Sequence, residues 1–141
     1  MKVQEIMSKT LEVATLNTSL HDVAKMMAEY NCGCVPVIET EDNKKPIGMI
    51  TDRDITLRTV AHNKNPLNMI VGEVMTDNVV SVTPEMSVED CVAVMERNQI
   101  RRVAVVDADG NLCGMVSQAD IARNAPLFET AELVKDISIA A

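Results

Sequence analysis

Behind Ser19 the chain sets Leu20, Val23, Ala24, Met27 and Tyr30 at helical spacing, with polar residues between them. That period predicts an amphipathic helix, and Ser is a residue type that caps one. Behind Ser87 the pattern returns as Val88, Cys91, Val92 and Met95, predicting a twin. Each helix is followed by a short β-branched run, "CVPVIE" or "RVAVVD", and a polar turn, "TEDNKK" or "ADGN". A second apolar run then enters "GMITDRDI" (Gly48 to Ile55) or "GMVSQADI" (Gly114 to Ile121), so each set predicts a β-hairpin. The segments "DRDITLRTVA" and "QADIAR" predict a closing helix, and "LEVAT" and "VVSVT" an opening strand. The predicted order is β-α-β-β-α, twice.

The twins are an internal duplication. A shift of 68 positions aligns "VQEIM" with "VGEVM", and also Thr15 with Thr83, Asp22 with Asp90 and Val35 with Val103. Past the polar turn the shift becomes 66, aligning Gly48 with Gly114 and Asp54 with Asp120. The expected fold class is therefore α/β (α+β): tandem repeats packed as a pseudo-twofold pair, since one such unit alone sits near the lower limit for a stable core. The boundaries read as repeat 1 over 1–61, a polar Pro-containing linker over 62–70, repeat 2 over 71–124 and a C-terminal extension over 125–141. In the extension Leu133, Val134 and Ile137 can form one apolar stripe, so a helix is expected.

Composition narrows the function classes. The chain has 141 residues, 47% apolar and 24% charged, with 1% aromatic, so aliphatic residues and ten Met must fill the interior. A net charge of -8 argues against non-specific nucleic-acid binding, which rests on a positive field. The start "MKVQEIMSKT" has no signal-peptide apolar run, and no window approaches the ~20 apolar residues of a membrane span. Four Cys in such a chain suit a reducing cytoplasm. The expectation is a cytoplasmic protein with neither nucleic acid nor membrane as partner.

Within the repeated phrase a hydroxyl residue precedes a carboxylate by three positions: Thr51 and Asp54, then Ser117 and Asp120. This spacing serves two ends. It is a capping arrangement at a helix start. It also sets an acceptor-only carboxylate beside a hydroxyl, which suits the paired hydroxyls of a ribose, with the helix start suiting a ribose or phosphate oxygen. Phosphate also needs cations, and here the copies differ. Repeat 2 has Arg101 and Arg102 at the mouth of its strand, where repeat 1 has Gly33 and Cys34.

The openings "EIM" and "EVM", the strands "VPVIE" and "VAVVD", and the paired "GMITDRD" and "GMVSQAD" resemble the CBS domain family over about residues 1–124. The chain is especially similar to stand-alone bacterial CBS pairs. The resemblance implies a regulatory, non-enzymatic module with two clefts for adenosine-containing ligands: AMP, ADP, ATP or S-adenosylmethionine, as in energy sensing. It implies no required cofactor, a homodimer, and a further protein partner that the chain does not name. Carried onto this sequence, it gives Asp120, Ser117, Asp54 and Thr51 ribose-facing roles, and Arg102 or Arg101 the phosphate. Thr15 and Thr83 become strand-end contacts, Val35 and Val103 walls of an aliphatic adenine slot, and the backbone at Cys34 a reader of the base edge. Arg53 is a weaker phosphate candidate. The Asp120 site is expected to hold the phosphate-bearing ligand.

Other signals lead elsewhere. "DADGN" from Asp107 lacks the Gly and Glu of a calcium loop and reads as a hairpin turn. The spacing of Cys32 and Cys34 is too short for a zinc pair, and Cys32 matches the apolar Ile100. His21 reads as exposed, and Met26, Met27 and Met95 as adaptable core. No Walker loop, nucleophile elbow or HExxH is present, so no catalytic residue and no metal ligand is assigned. The rival readings are a structural or dimerisation protein with no ligand and a thiol-based redox or metal protein.

Overall fold

The computed structural model describes residues 1–9, 12–77, 79–124 and 127–138, with only the backbone of 127–130. Leu11 of the first expected strand, and 125–126 and 139–141 of the C-terminal extension, lie outside the described residues. The helices are α1 (Val3–Ile6), α2 (Leu20–Tyr30), α3 (Asp52–Arg58), α4 (Val88–Asn98), α5 (Gln118–Asn124) and α6 (Leu127–Ser138). The strands are β1 (Cys34–Ile38), β2 (Pro46–Thr51), β3 (Ser81–Val82), β4 (Arg102–Val106) and β5 (Leu112–Ser117). Among the described residues no helix is long and apolar enough to cross a membrane.

Contacts group the chain into two compact units. One is Glu12–Val79; the other joins Met1–Leu11 to Val80–Ala141. The sequence repeat and the compact unit are thus different partitions of the chain. The reason lies in the "EIM" and "EVM" segments, each of which packs with the hairpin of the other copy. In the first unit Val71 N–H donates to Thr18 O at 2.8 Å and Gly72 N–H to Leu16 O at 2.9 Å. In the second, the matching bonds are Val3 N–H to Met86 O at 2.9 Å and Gln4 N–H to Pro84 O at 3.0 Å.

The repeated letters of these segments now have physical roles. Glu5 and Glu73 accept from the backbone N–H of Lys2 and Ile70, closing short helical turns. Ile6 and Val74 are buried in the two cores. Thr76 bridges the outer edge of β2 at Met49, as Ser8 bridges β5 at Met115. Met75 and Met7 then lie over Gly48 and Gly114, where a Cβ would meet their sulfur atoms at 2.9 Å and 2.5 Å.

The hairpins share one register. Cys34 faces Thr51 and Val37 faces Gly48 across β1–β2; Arg102 faces Ser117 and Val105 faces Gly114 across β4–β5. The long helices are capped as expected, with Ser19 Oγ accepting from Asp22 N–H and Ser87 Oγ from Asp90 N–H, both at 3.0 Å. They end at Asn31 and Gln99, left-handed with φ of 50° and 52°. The first core gathers Ala14, Leu20, Val23, Val35, Val37, Ile50, Val71 and Val74. The second is built from Val3, Ile6, Met95, Val103, Val105, Val116 and Ile121 among others.

Three expectations change. Among its described residues the opening strand of repeat 1 is a single parallel bridge, Ala14 to Val37, because Thr15 turns at once into a bend closed by Thr18. That of repeat 2 is the two-residue β3. On α2, Ala24 and Tyr30 are exposed, whereas all four apolar positions quoted for α4 are buried. The difference follows from α6, which packs on α4 and α5 and buries Leu133 and Ile137 but leaves Val134 out.

Candidate functional site

Each copy delivers its phrase to the junction between a hairpin and a short helix. Asp52 N–H donates to Gly33 O at 3.0 Å and Gln118 N–H to Arg101 O at 2.8 Å, so the strand mouth and the helix start are pinned together in the same way. The hydroxyl and carboxylate then cap reciprocally. Thr51 Oγ1 accepts from Asp54 N–H at 3.0 Å while Asp54 Oδ2 accepts from Thr51 N–H at 3.1 Å. Ser117 Oγ accepts from Asp120 N–H at 3.1 Å while Asp120 Oδ2 accepts from Ser117 N–H at 2.8 Å. The capping role is therefore realised in both copies, and it uses one carboxylate oxygen of each Asp.

The other oxygen distinguishes the copies. Asp54 Oδ1 is met by the Thr76 hydroxyl at 3.4 Å and by Arg58 Nη2 at 3.9 Å, both long for a hydrogen bond. The same guanidinium is firmly held elsewhere, Nη1 donating to Val74 O at 2.8 Å and Met75 O at 2.9 Å. Asp120 Oδ1 instead takes Arg123 Nη2 at 2.6 Å, a short charge-assisted bond. Both carboxylates are mostly shielded, at 14% and 8% side-chain exposure, while Arg123 is 67% exposed.

Arg102 and Ser117 are directly opposite in the β4–β5 ladder, so they share a hairpin face with Arg102 exposed. Arg101 is exposed beside it. In the first copy that face carries Cys34 opposite Thr51, with Cys34 Sγ 3.8 Å from Met49 Sδ. Gly33 lies under the Asp52 carboxylate, where a Cβ would be 3.0 Å from Oδ2. Val35 and Val103 are fully buried in the two cores, on the hairpin faces opposite Cys34 and Arg102. Thr15 sits in the bend before α2, its N–H donating to Thr18 Oγ1 at 3.0 Å; Thr83 is exposed, its carbonyl accepting from Met86 N–H at 3.2 Å. Arg53 is exposed, its backbone N–H on Asp52 Oδ1.

Three residues at these junctions are absent from the sequence reading: Arg58, Arg123 and Thr76. The arginines follow their Asp by four and three positions, the spacing of facing helical neighbours, and that signal was available. Thr76 was not, because only the packing of 71–76 against β2 brings it to Asp54. Cys32 is partly buried against the first core, as its match Ile100 is against the second. Among the described residues no three of His, Cys, Asp and Glu converge as a metal ion would need.

The sequence profile of the CBS domain matches residues 3–59 and 71–127. The CBS domain-containing protein YhcV of Bacillus subtilis is 41% identical over 124 residues, covering 86% of this chain and 85% of that protein. Hypoxic response protein 1 of Mycobacterium tuberculosis is 32% identical over 134 residues, covering 95% and 92%. Among solved structures, the CBS domain pair of protein MJ0100 in complex with 5′-methylthioadenosine and S-adenosyl-L-methionine superposes with a TM-score of 0.76 at 31% identity. That match covers 87% of this chain and 98% of the other. Hypoxic Response Protein I, crystallised with two coordinated zinc ions, gives 0.77 at 29% identity, covering 89% and 100%.

Proposed function

The chain belongs to the CBS domain family, as a tandem pair, and from that membership we propose that it binds adenosine-containing ligands at its hairpin–helix junctions and signals occupancy to a partner. A CBS pair is a regulatory module, and the MJ0100 pair carries 5′-methylthioadenosine and S-adenosyl-L-methionine. The observation that carries the reading here is the doubled junction. Each copy presents a shielded carboxylate whose Oδ1 lies outside the capping box, as an acceptor for ribose hydroxyls. In the second copy Arg102 faces Ser117 across the ladder, with Arg101 adjoining. That pair is the phosphate-binding element, and the Asp120 site takes the nucleotide. Thr15 and Thr83 remain contacts at the strand ends and the Cys34 backbone a reader of the adenine edge. Val35 and Val103, expected as walls of the slot, are buried on the opposite hairpin faces and support it from behind. The module acts in the cytoplasm as a homodimer and performs no catalysis.

A second reading has one specific observation in its favour. Each Asp already satisfies a neighbouring backbone N–H and meets an Arg, so both junctions are complete as structural caps without ligand. A thermal-shift series with AMP, ATP and S-adenosylmethionine separates the two. Ligand at 100 times Kd adds about 2.7 kcal/mol to the native state, a rise of roughly 5–10 °C for a domain of this size. The proposal requires a saturable rise with at least one of these ligands. No rise with any of them at millimolar concentration leaves the structural reading standing.

A further inference from the structure

The two junctions differ in what their carboxylates hold. Asp120 is paired within its own helix, to Arg123 one turn on. Asp54 is tied across the fold to the segment 71–76, through the Thr76 hydroxyl directly and through Arg58, whose Nη1 grips the carbonyls of Val74 and Met75. That segment is seated on the first hairpin by the Met49–Thr76 bridge, with both backbone bonds at 2.9 Å, and by Met75 over Gly48. In sequence it runs on to Val80, where the other compact unit begins.

We infer that Asp54 is the sensing carboxylate of the pair: a ligand hydroxyl on Asp54 Oδ1 replaces the Thr76 hydroxyl and thereby loosens the segment 74–76 from the edge of β2. The inference rests on the adenosine reading above and assigns the regulation of that same site. Its physical basis is the inequality of the contacts. The capping bond from Thr51 N–H is 3.1 Å and internal to the helix start, whereas Thr76 at 3.4 Å and Arg58 at 3.9 Å are the long contacts that yield first. Arg58 is 47% exposed, so its Nη2 can be rehydrated when Oδ1 is taken.

Because Thr76 and the ligand compete for one oxygen, the coupling is reciprocal. A ligand weakens the hold on Thr76, and removing the Thr76 hydroxyl must strengthen ligand binding. The bond at stake is a single weak one, so the expected effect is a factor of about three. A merely structural role for Thr76 predicts lower stability with no gain in affinity. At Asp120 the ligand instead displaces Arg123, leaving the segment Val3–Ser8 unaffected.

The test uses the full chain, with AMP and S-adenosylmethionine as probes. Amide hydrogen exchange is followed at Met49, Thr76, Ser8 and Met115. Affinity at the Asp54 site is measured by calorimetry with Asp120→Ala as the common background, which removes the second site from the titration. In the wild type, saturating ligand should raise exchange at Met49 and Thr76 severalfold and leave Ser8 and Met115 unchanged. Thr76→Val, which keeps the shape and loses the hydroxyl, should bind about threefold more tightly and lose the ligand effect on exchange. Thr76→Ser keeps the hydroxyl and should behave as wild type. If Thr76→Val binds equally or more weakly while the wild type binds normally, the inference is overturned and the adenosine reading survives. If the wild type binds neither probe, the adenosine reading fails and takes this inference with it.

Discussion

Adding one methyl group at Gly48 or at Gly114 tests whether the lead segments really pack with the hairpin of the opposite copy. At Gly48 a new Cβ would stand 2.6 Å from Thr76 O and 2.9 Å from Met75 Sδ. The first neighbour is backbone, held by two hydrogen bonds to Met49, so it cannot step aside without breaking the bridge. At Gly114 the short contact is Met7 Sδ at 2.5 Å, the end of a flexible side chain, with Ser8 O farther off at 3.2 Å. Overpacking costs about 1–3 kcal/mol, against which a Gly to Ala change returns about 0.5 kcal/mol from the unfolded chain. Gly48→Ala should therefore cost about 2.5 kcal/mol and Gly114→Ala about 1 kcal/mol. At an unfolding entropy of about 0.3 kcal/mol/K for a chain this long, those are drops of roughly 8 °C and 3 °C. Thermal melts followed by circular dichroism check the order. A double-mutant cycle then identifies the neighbour. Met7→Ala should recover most of the Gly114→Ala loss, while Met75→Ala recovers little of the Gly48→Ala loss. Equal costs at the two glycines, or no coupling between Gly114 and Met7, would refute the exchanged packing.

Other consequences concern α4, α6 and the thiols. Burial, then Asp136 and Glu132 on α6, raise the Glu96 carboxyl above its ordinary value of 4.5. The folded state thus holds that proton more tightly than the unfolded chain. The associated stability is fully present below the ordinary value and is lost as pH rises through the folded one. Melting temperatures taken from about pH 4 to pH 7 should show this decline reduced in Glu96→Gln, with the variant more stable than wild type at neutral pH. Leu133→Ala, at a fully buried position on α6, should cost about 2–4 kcal/mol in denaturant melts; a negligible cost would mean that α6 is not docked on the second core. Burial pushes the Cys91 thiol up to about 11, so native protein at pH 8 should resist alkylation there, and mass spectrometry should find Cys91 modified only after unfolding.

Where a local rule governs an element, the sequence was legible. Ser19 and Ser87 behave as caps because their hydroxyls reach backbone N–H groups three residues on. The hairpins follow from β-branched runs around polar turns, and Asp107 closes "DADGN" as a turn through Asp109 and Asn111 N–H. The phrase at Thr51 and Ser117 carries its capping geometry in its own spacing. What stayed hidden is non-local. A period of 68 is the same whether Met7 rests on its own hairpin or on that of the other copy, so the exchange of lead segments leaves no mark in the repeat. The arginines are the exception, a local signal four and three positions after their Asp that comparison of the copies obscures, since the alignment sets Arg58 against Asn124 and Leu57 against Arg123. Ala24 and Tyr30 fit the helical period, yet exposure on α2 was decided by which helix face finds a partner.

We propose that both junctions bind adenosine ligands and that the second takes the nucleotide. Calorimetric titration of AMP into wild type, Asp54→Ala and Asp120→Ala tests it most directly. Both substitutions remove the same kind of capping carboxylate, and melts of the unliganded variants account for the contacts that differ, Thr76 at Asp54 and Arg123 at Asp120. Saturable binding by the wild type, with Asp120→Ala losing about tenfold or more in affinity and Asp54→Ala losing less, is the predicted result. No heat of binding at millimolar AMP, or Asp54→Ala as the more damaging change, would contradict the account.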